Sequence, residues 1–337
     1  MNLFNGKIEN WKDWGEVYAS ISAFTPLVDH ILQKEKLPRA AAENLTPGTN
    51  AVFRTGGYVV KIYAPDESGI DQTPTMNTEL FAARRAARLG ISAPKLVADG
   101  YVDDKYRFAY IVTEFIEGVE FAEAAASMGD SEKIAIGRRL RRITDRMNTP
   151  CEPFNDIDAL AGGGRFRRWD KYPDSFKAER LSYIRTRAFE PPVFVHGDLC
   201  GDNILVARGG ELCILDFGDA LLAPVVYEHA HVALELFRLD PALLYGFFGD
   251  FNDTNDNINA INSCYSYNDI NAKNFIDFID FMKNNLVDIC FDGMLIHDFG
   301  GDIVKAYVGE PSDIVSLDIL RRKLQQRIDN ALYGIND

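Results

Sequence analysis

The chain reads as an α+β protein of two lobes: a small N-terminal lobe built on an antiparallel sheet with one long helix, and a larger, mainly helical C-terminal lobe. Three observations predict this. Its 337 residues are about twice a typical single-domain length. Up to Gly118, short β-type runs flank a single helical pattern; beyond it the composition is helical except for two short apolar runs near 192–206 and 212–217. Hydrophobic residues make up 47% of the chain, enough for a substantial core. The expected division is a helical segment over 1–38, a sheet lobe over 39–118 and a helical lobe over 119–337.

Residues 11–37 carry apolar residues at helical spacing, from Trp14, Val17 and Ile21 to Ile31 and Leu32, with Pro26 expected to restart the helix. Ala51 to Arg54 and Tyr58 to Tyr63 read as strands, and Gly56 and Gly57 between them predict a tight hairpin, hence antiparallel pairing. From Thr75 an Ala- and Arg-rich stretch predicts about four helical turns stopped by Gly90. Two further strand-like runs follow, Lys95 to Tyr101 and Arg107 to Phe115. Helices are expected over Glu120–Met128 and Ser131–Met147, the second with Ile136, Leu140 and Ile143 on its apolar face and its arginines solvated. Asn252 to Asn274 is dense in Asn, Asp and Ser, which compete with helix, so a loop or insertion is expected there.

The formal charge of −14 disfavours nucleic acid and anionic membranes as partners and suits a cationic one. Against it, the basic run at Arg165, Arg167 and Arg168 reads as an ion-paired surface. Five scattered cysteines without a CxxC pair indicate neither a disulfide framework nor a zinc site, and a reducing compartment fits them. The first residues lack the basic-then-apolar order of a secretion signal, and no apolar run approaches the roughly 20 residues of a membrane span, so a cytoplasmic location is expected.

The chemistry concentrates in two stretches, VFVHGDLCGDNILV over 193–206 and LCILDFGD over 212–219. His196, Asp198, Asn203 and Asp216 fall in polar loops between short apolar strands, which can anchor a carboxylate at a cleft. One carboxylate beside a substrate hydroxyl, with an amide oxygen and a second carboxylate for Mg²⁺, is the minimal equipment for phosphoryl transfer from a nucleotide. Such a site also needs a cation on the phosphates. Lys61, within an apolar strand, is the candidate, and Glu79 on the following helix is its available partner. Gly48 and Asn50, in the turn before the first strand, are as easily turn formers as a backbone cover for phosphates.

HGDLxxxNIL followed by ILDFGD resembles the catalytic-loop and metal-loop pair of the aminoglycoside phosphotransferase-like family, which includes choline, ethanolamine and fructosamine kinases and shares the protein-kinase-like fold. The resemblance spans most of 45–235. It implies that Asp198 is the catalytic carboxylate, that Asn203 and Asp216 are Mg²⁺ ligands, and that Lys61, paired with Glu79, binds the phosphates of ATP or GTP. It further implies a hinge between lobes at 113–118, where backbone groups of Glu114 and Ile116 meet the nucleobase, and that His196 braces the catalytic loop. Gly197 replaces the arginine of protein kinases and no Ala-Pro-Glu segment follows Asp216, which fits the small-molecule branch. Pro224 stands where relatives carry a loop-stabilising carboxylate, with Tyr227 and Glu228 shortly after it.

For His229 and His231, packing or solvent exposure outranks a place at the acceptor, and nothing in the motif asks the Cys200 thiol to act. The expected activity is therefore phosphorylation of a hydroxyl on a small molecule, with an amine-bearing acceptor such as an aminoglycoside or amino-sugar favoured by the acid excess. A choline, ethanolamine or fructosamine kinase is the alternative within the class. A nucleotide-binding regulatory pseudokinase is the alternative outside it, and protein phosphorylation is disfavoured by the missing arginine.

Overall fold

The computed structural model describes residues 3–46, 48–162, 167–249 and 272–333. The chain forms two compact units: the first holds Met1–Gly118 with Cys213–Asp219, the second Val119–Leu212 with Ala220–Asp337.

The first unit opens with α1 (Trp11–Val17) and α2 (Ile21–Lys34). The break expected at Pro26 falls instead at Tyr18–Ser20, and Pro26 lies inside α2. The reason is local: the Ser20 side chain accepts a hydrogen bond from the Ala23 N–H and starts a new helix there. β1 (Ala42–Asn44), β2 (Ala51–Thr55), β3 (Tyr58–Ile62), β4 (Leu96–Asp103) and β5 (Arg107–Glu114) form one antiparallel sheet in the order β1-β2-β3-β5-β4. The predicted hairpin joins β2 to β3, with Gly56 at φ +60°. The edge strand β1 has no counterpart in the sequence reading, because three residues, Ala-Glu-Asn, carry no strand pattern.

Both faces of this sheet are covered, which explains why β5 is an almost unbroken apolar run. Phe53, Val60, Phe108 and Tyr110 pack with Phe4, Trp14, Phe24 and Leu27 on one side. Ile111 and Tyr63 pack with Met76 and Leu80 of α3 (Thr73–Arg88) on the other. The stop expected at Gly90 is a Schellman cap: the Gly90 N–H donates to Ala87, the Ile91 N–H donates to Ala86, and Gly90 adopts φ +62°.

The second unit contains β6 (Val119–Glu120), α4 (Phe121–Ser127), α5 (Asp130–Met147), α6 (Asp174–Thr186), β7 (Val193–Val195) and β8 (Ile204–Val206). After β9 (Leu212–Ile214) come β10 (Leu221–Ala223), α7 (Val226–His231), α8 (Pro241–Phe248), α9 (Ala272–Ile296), α10 (Gly300–Tyr307) and α11 (Leu317–Tyr333). β7 pairs antiparallel with β10 and β6 with β8, so the Asp198 loop hangs between two short paired strands. α7 lies against α9 at Gly293, where a Cβ would come within 2.2 Å of the Val226 carbonyl oxygen.

Of the Asn-rich stretch, 252–271 lies outside the described residues, and its last three residues open α9 rather than a loop. Arg165 also lies outside; Arg168 pairs with Asp302 and Arg167 with Asp170, from a short 3-10 turn over Arg168–Lys171. Among the described residues no helix is long and apolar enough to cross a membrane.

Candidate active site

In the first unit, β3 delivers Lys61 into the interior, where it is 8% exposed. Its Nζ donates to Glu79 Oε2 at 2.7 Å and to Asp216 Oδ1 at 2.8 Å. The Tyr63 hydroxyl, two residues on and just past the end of β3, also donates to Glu79 Oε2. Burial alone disfavours a charged lysine, but Asp216 and Glu79 outweigh it and raise the Lys61 pKa, so the ammonium stays protonated. One ammonium against two carboxylates leaves an excess of negative charge, suited to a further cation. Asp216 itself sits at φ +52°, in the left-handed region that a non-glycine residue rarely adopts, and accepts the Gly218 N–H on Oδ1. Backbone strain of this kind is characteristic of functional loops. Its side chain is 48% exposed, against 10% for Lys61 and 13% for Glu79.

The hinge and the glycine turn belong to the same unit. The Glu114 N–H donates to the Lys95 carbonyl and the Phe115 N–H to the Gly57 carbonyl, so the sheet consumes both donors. The expectation for Glu114 thereby narrows to its carbonyl, with Ile116 the next N–H along the chain. Gly48 is exposed, and a Cβ there would meet no atom within 4 Å, so sterics do not demand glycine at this position. Asn50 is buried, and its Oδ1 has no hydrogen-bond partner among the described residues. The neighbouring Thr49 carbonyl accepts from Trp14 Nε1 at 2.8 Å, which ties the turn to α1.

In the second unit, β7 leads into the loop that carries Asp198. Asn203 Nδ2 donates to Asp198 Oδ2 at 3.0 Å and to the Asp198 carbonyl at 2.9 Å. With its nitrogen so engaged, the Asn203 carboxamide turns an oxygen, a hard ligand, to the other side. His196 is fully buried and accepts the Asp198 N–H on Nδ1, as a brace does. Burial works against the Asp198 charge, but His231, His196 and Asn203 together hold its carboxyl below the ordinary value. Burial also pushes the Cys200 thiol up to about 12, which removes it as a nucleophile.

Two residues here escape the sequence reading. Glu228 on α7 is 1% exposed, and its Oε2 accepts the N–H groups of His196 and Gly197 while Oε1 accepts Asn148 Nδ2 at 2.7 Å. The loop thus has a carboxylate brace despite Pro224, supplied four residues later in the chain. Burial pushes Glu228 up to about 7 in spite of these donors. The second is His231, whose Nε2 lies 3.3 Å from Asp198 Oδ1. The signal for both was the three-residue spacing of Glu228 and His231, which puts them on one helix face. His229, by contrast, packs edge-on against Phe247 and Phe248. Among the described residues no cluster of three or more His, Cys, Asp or Glu could hold a metal. Magnesium does not require one, since it is commonly held by one or two carboxylates plus substrate phosphates.

A search of curated proteins finds no match to this chain. Solved structures share its fold. The GDP complex of wild-type aminoglycoside 2'-phosphotransferase-IIIa is 15% identical, with a TM-score of 0.50 over 91% of this chain and 95% of that one. Aminoglycoside phosphotransferase APH(4)-Ia is 13% identical, with a TM-score of 0.50 over 93% and 99%. Choline kinase LicA from Streptococcus pneumoniae is 13% identical, with a TM-score of 0.50 over 90% and 99%. The family model for phosphotransferase enzymes matches residues 47–257, a stretch that holds Lys61, Glu79, Asp198, Asn203 and Asp216 and more than half of the chain. The chain therefore belongs to the APH phosphotransferase enzyme family.

Proposed function

We propose that this phosphotransferase moves the γ-phosphoryl group of ATP or GTP to a hydroxyl of a small, amine-bearing molecule of the aminoglycoside or amino-sugar kind. The observation that carries the reading is the Asp198 carboxylate: kept anionic, fixed by Asn203, and set in a loop whose backbone is gripped by a buried Glu228. Asp198 orients the acceptor hydroxyl and takes its proton late, as a loose phosphoryl-transfer transition state requires. Lys61 holds the phosphates and Glu79 holds Lys61. Gly48 and Asn50 cover the phosphates, and the Glu114 carbonyl and Ile116 N–H meet the nucleobase. Asn203 and Asp216 are the Mg²⁺ ligands, and their donor set fits in kind: a carboxamide oxygen and a half-exposed carboxylate in a group with excess negative charge. The ion would neutralise charge on the phosphates. The formal charge of −14 favours a cationic acceptor, and the names of the compared structures point to aminoglycosides and choline, both amine-bearing.

The test is ADP or GDP release from the magnesium nucleotide over a panel of aminoglycosides, amino-sugars, choline, ethanolamine and fructosamines. Turnover of one amine class, lowered on the order of 10²–10⁴-fold by Asp198→Ala with nucleotide affinity preserved, is expected. Magnesium-nucleotide binding without transfer to any acceptor would instead mark a regulatory protein.

A further inference from the structure

α7 presents two polar side chains on one face, and they grip opposite parts of the same loop. Glu228 takes the backbone N–H groups of His196 and Gly197; His231, one turn later, approaches the side chain of Asp198. The helix widens immediately after His231 into a π turn over Val232–Leu236, closed by the Phe237 N–H on the Val232 carbonyl. Such insertions recur at functional sites.

His231 is buried, and its ring is held from behind by a stack. His297 lies parallel to it, with ring centroids 4.7 Å apart and planes at 7°, and Tyr227 backs His297 at 3.9 Å. Tyr227 is fixed in turn by accepting the Asp298 N–H on its hydroxyl at 3.2 Å. Neither imidazole nitrogen of His231 meets a partner of full hydrogen-bond geometry among the described residues, although Nε2 is only 3.3 Å from Asp198 Oδ1. That separation is within bonding range, so the shortfall is one of direction. A buried imidazole with no satisfied nitrogen is costly, and catalytic hydrogen bonds often align only when substrate is bound.

We propose that His231 is a positioning residue for Asp198: its Nε2–H engages Oδ1 while Asn203 engages Oδ2, so that the carboxylate is clamped from both oxygens and keeps a lone pair on the acceptor hydroxyl. The inference rests on the kinase reading given above. Residues 196–203 supply the carboxylate and one clamp; α7 supplies the other, and the His297 and Tyr227 rings keep it from rotating away.

The experiment compares His231→Ala and His231→Gln, since glutamine restores a side-chain N–H donor. The rate is read as ADP release from Mg-ATP with the amine panel. His231→Ala is expected to lower kcat about 10- to 100-fold, the scale set by small misplacements of a catalytic group, with KM for Mg-ATP unchanged. His231→Gln is expected to recover most of that loss. Crystal structures of the two variants give a readout independent of turnover: Asp198 in more than one rotamer in the alanine variant and in one in the glutamine variant. Equal kcat in the two variants, or a single unchanged Asp198 rotamer in His231→Ala, overturns the proposal. Asp198→Ala separates the two ideas: no transfer to any acceptor by the unaltered protein sinks the kinase reading, transfer that survives Asp198→Ala sinks Asp198 as the catalytic carboxylate, and transfer that it abolishes while His231→Ala leaves kcat intact sinks only the role of His231.

Discussion

Glu228 is a case in which a single carboxylate orders a backbone. In its ionised form both of its oxygens are acceptors, one for Asn148 and one for the loop N–H groups, so an amide in its place must turn its NH₂ group toward a donor. Glu228→Gln should therefore cost phosphotransfer on the order of 10- to 100-fold, the scale of a small displacement of the loop that carries Asp198. Nucleotide affinity should fall much less, because Lys61, Glu79 and Asp216 belong to the other unit and only Asn203 rides on the displaced loop. Equilibrium nucleotide binding beside steady-state kinetics checks the split. At Lys61 the loss extends to nucleotide affinity: Lys61→Met leaves the mostly covered Glu79 carboxylate without its counter-charge, and should lower both thermal stability and nucleotide affinity.

Among the elements, α3 matters because it carries Glu79 and because its far end is cut off cleanly. The Schellman cap at Gly90 needs a left-handed residue, and an alanine there pays for φ +62° with about 1–2 kcal/mol. Gly90→Ala should lower the stability of the protein by that amount, read as a shift of the urea midpoint at constant slope. β3 and α3 act as a pair: the strand aims Lys61 and Tyr63 to one face, and the helix lays Glu79 over both. α7 does the equivalent work in the second unit with Glu228 and His231. Both devices are polar side chains spaced to share a face, supported by apolar neighbours.

Over the whole molecule the acid response has a traceable source in His229. Its ring packs on Phe247 and Phe248, and burial lowers its pKa from 6.5 to about 3. Between those values the unfolded chain binds a proton that the native state refuses, so this residue's contribution to stability falls as pH drops below about 6.5. Glu228, raised from 4.5 to about 7, works the other way: the native state holds a proton that the unfolded chain releases, and stability falls as pH rises through that window. Replacing His229 by Phe should flatten the acid side of the Tm-against-pH curve and leave the neutral side in place. Scanning calorimetry from pH 4 to 8 is the measurement, and an unchanged acid slope would contradict it.

The sequence by itself determined the fold class and the local motifs. Runs such as 58–63 and 107–115 can satisfy their apolar residues only as strands in a covered sheet, Gly56 and Gly90 mark sites of positive φ, and the polar residues of 196–203 fall in one loop. Where α1 ends and α2 begins was less legible, because Pro26 is the louder signal and the Ser20 cap the stronger force. Only the tertiary structure decided which side chains serve that loop. Glu228 and His231 lie some thirty residues beyond Asp198, on a helix whose sequence reads as ordinary packing. They reach it because α7 rests on α9 at Gly293 and so turns one face toward the loop. Long-range packing of that kind leaves no periodicity in the sequence, since it depends on how whole helices are set against each other and not on the spacing within any one of them.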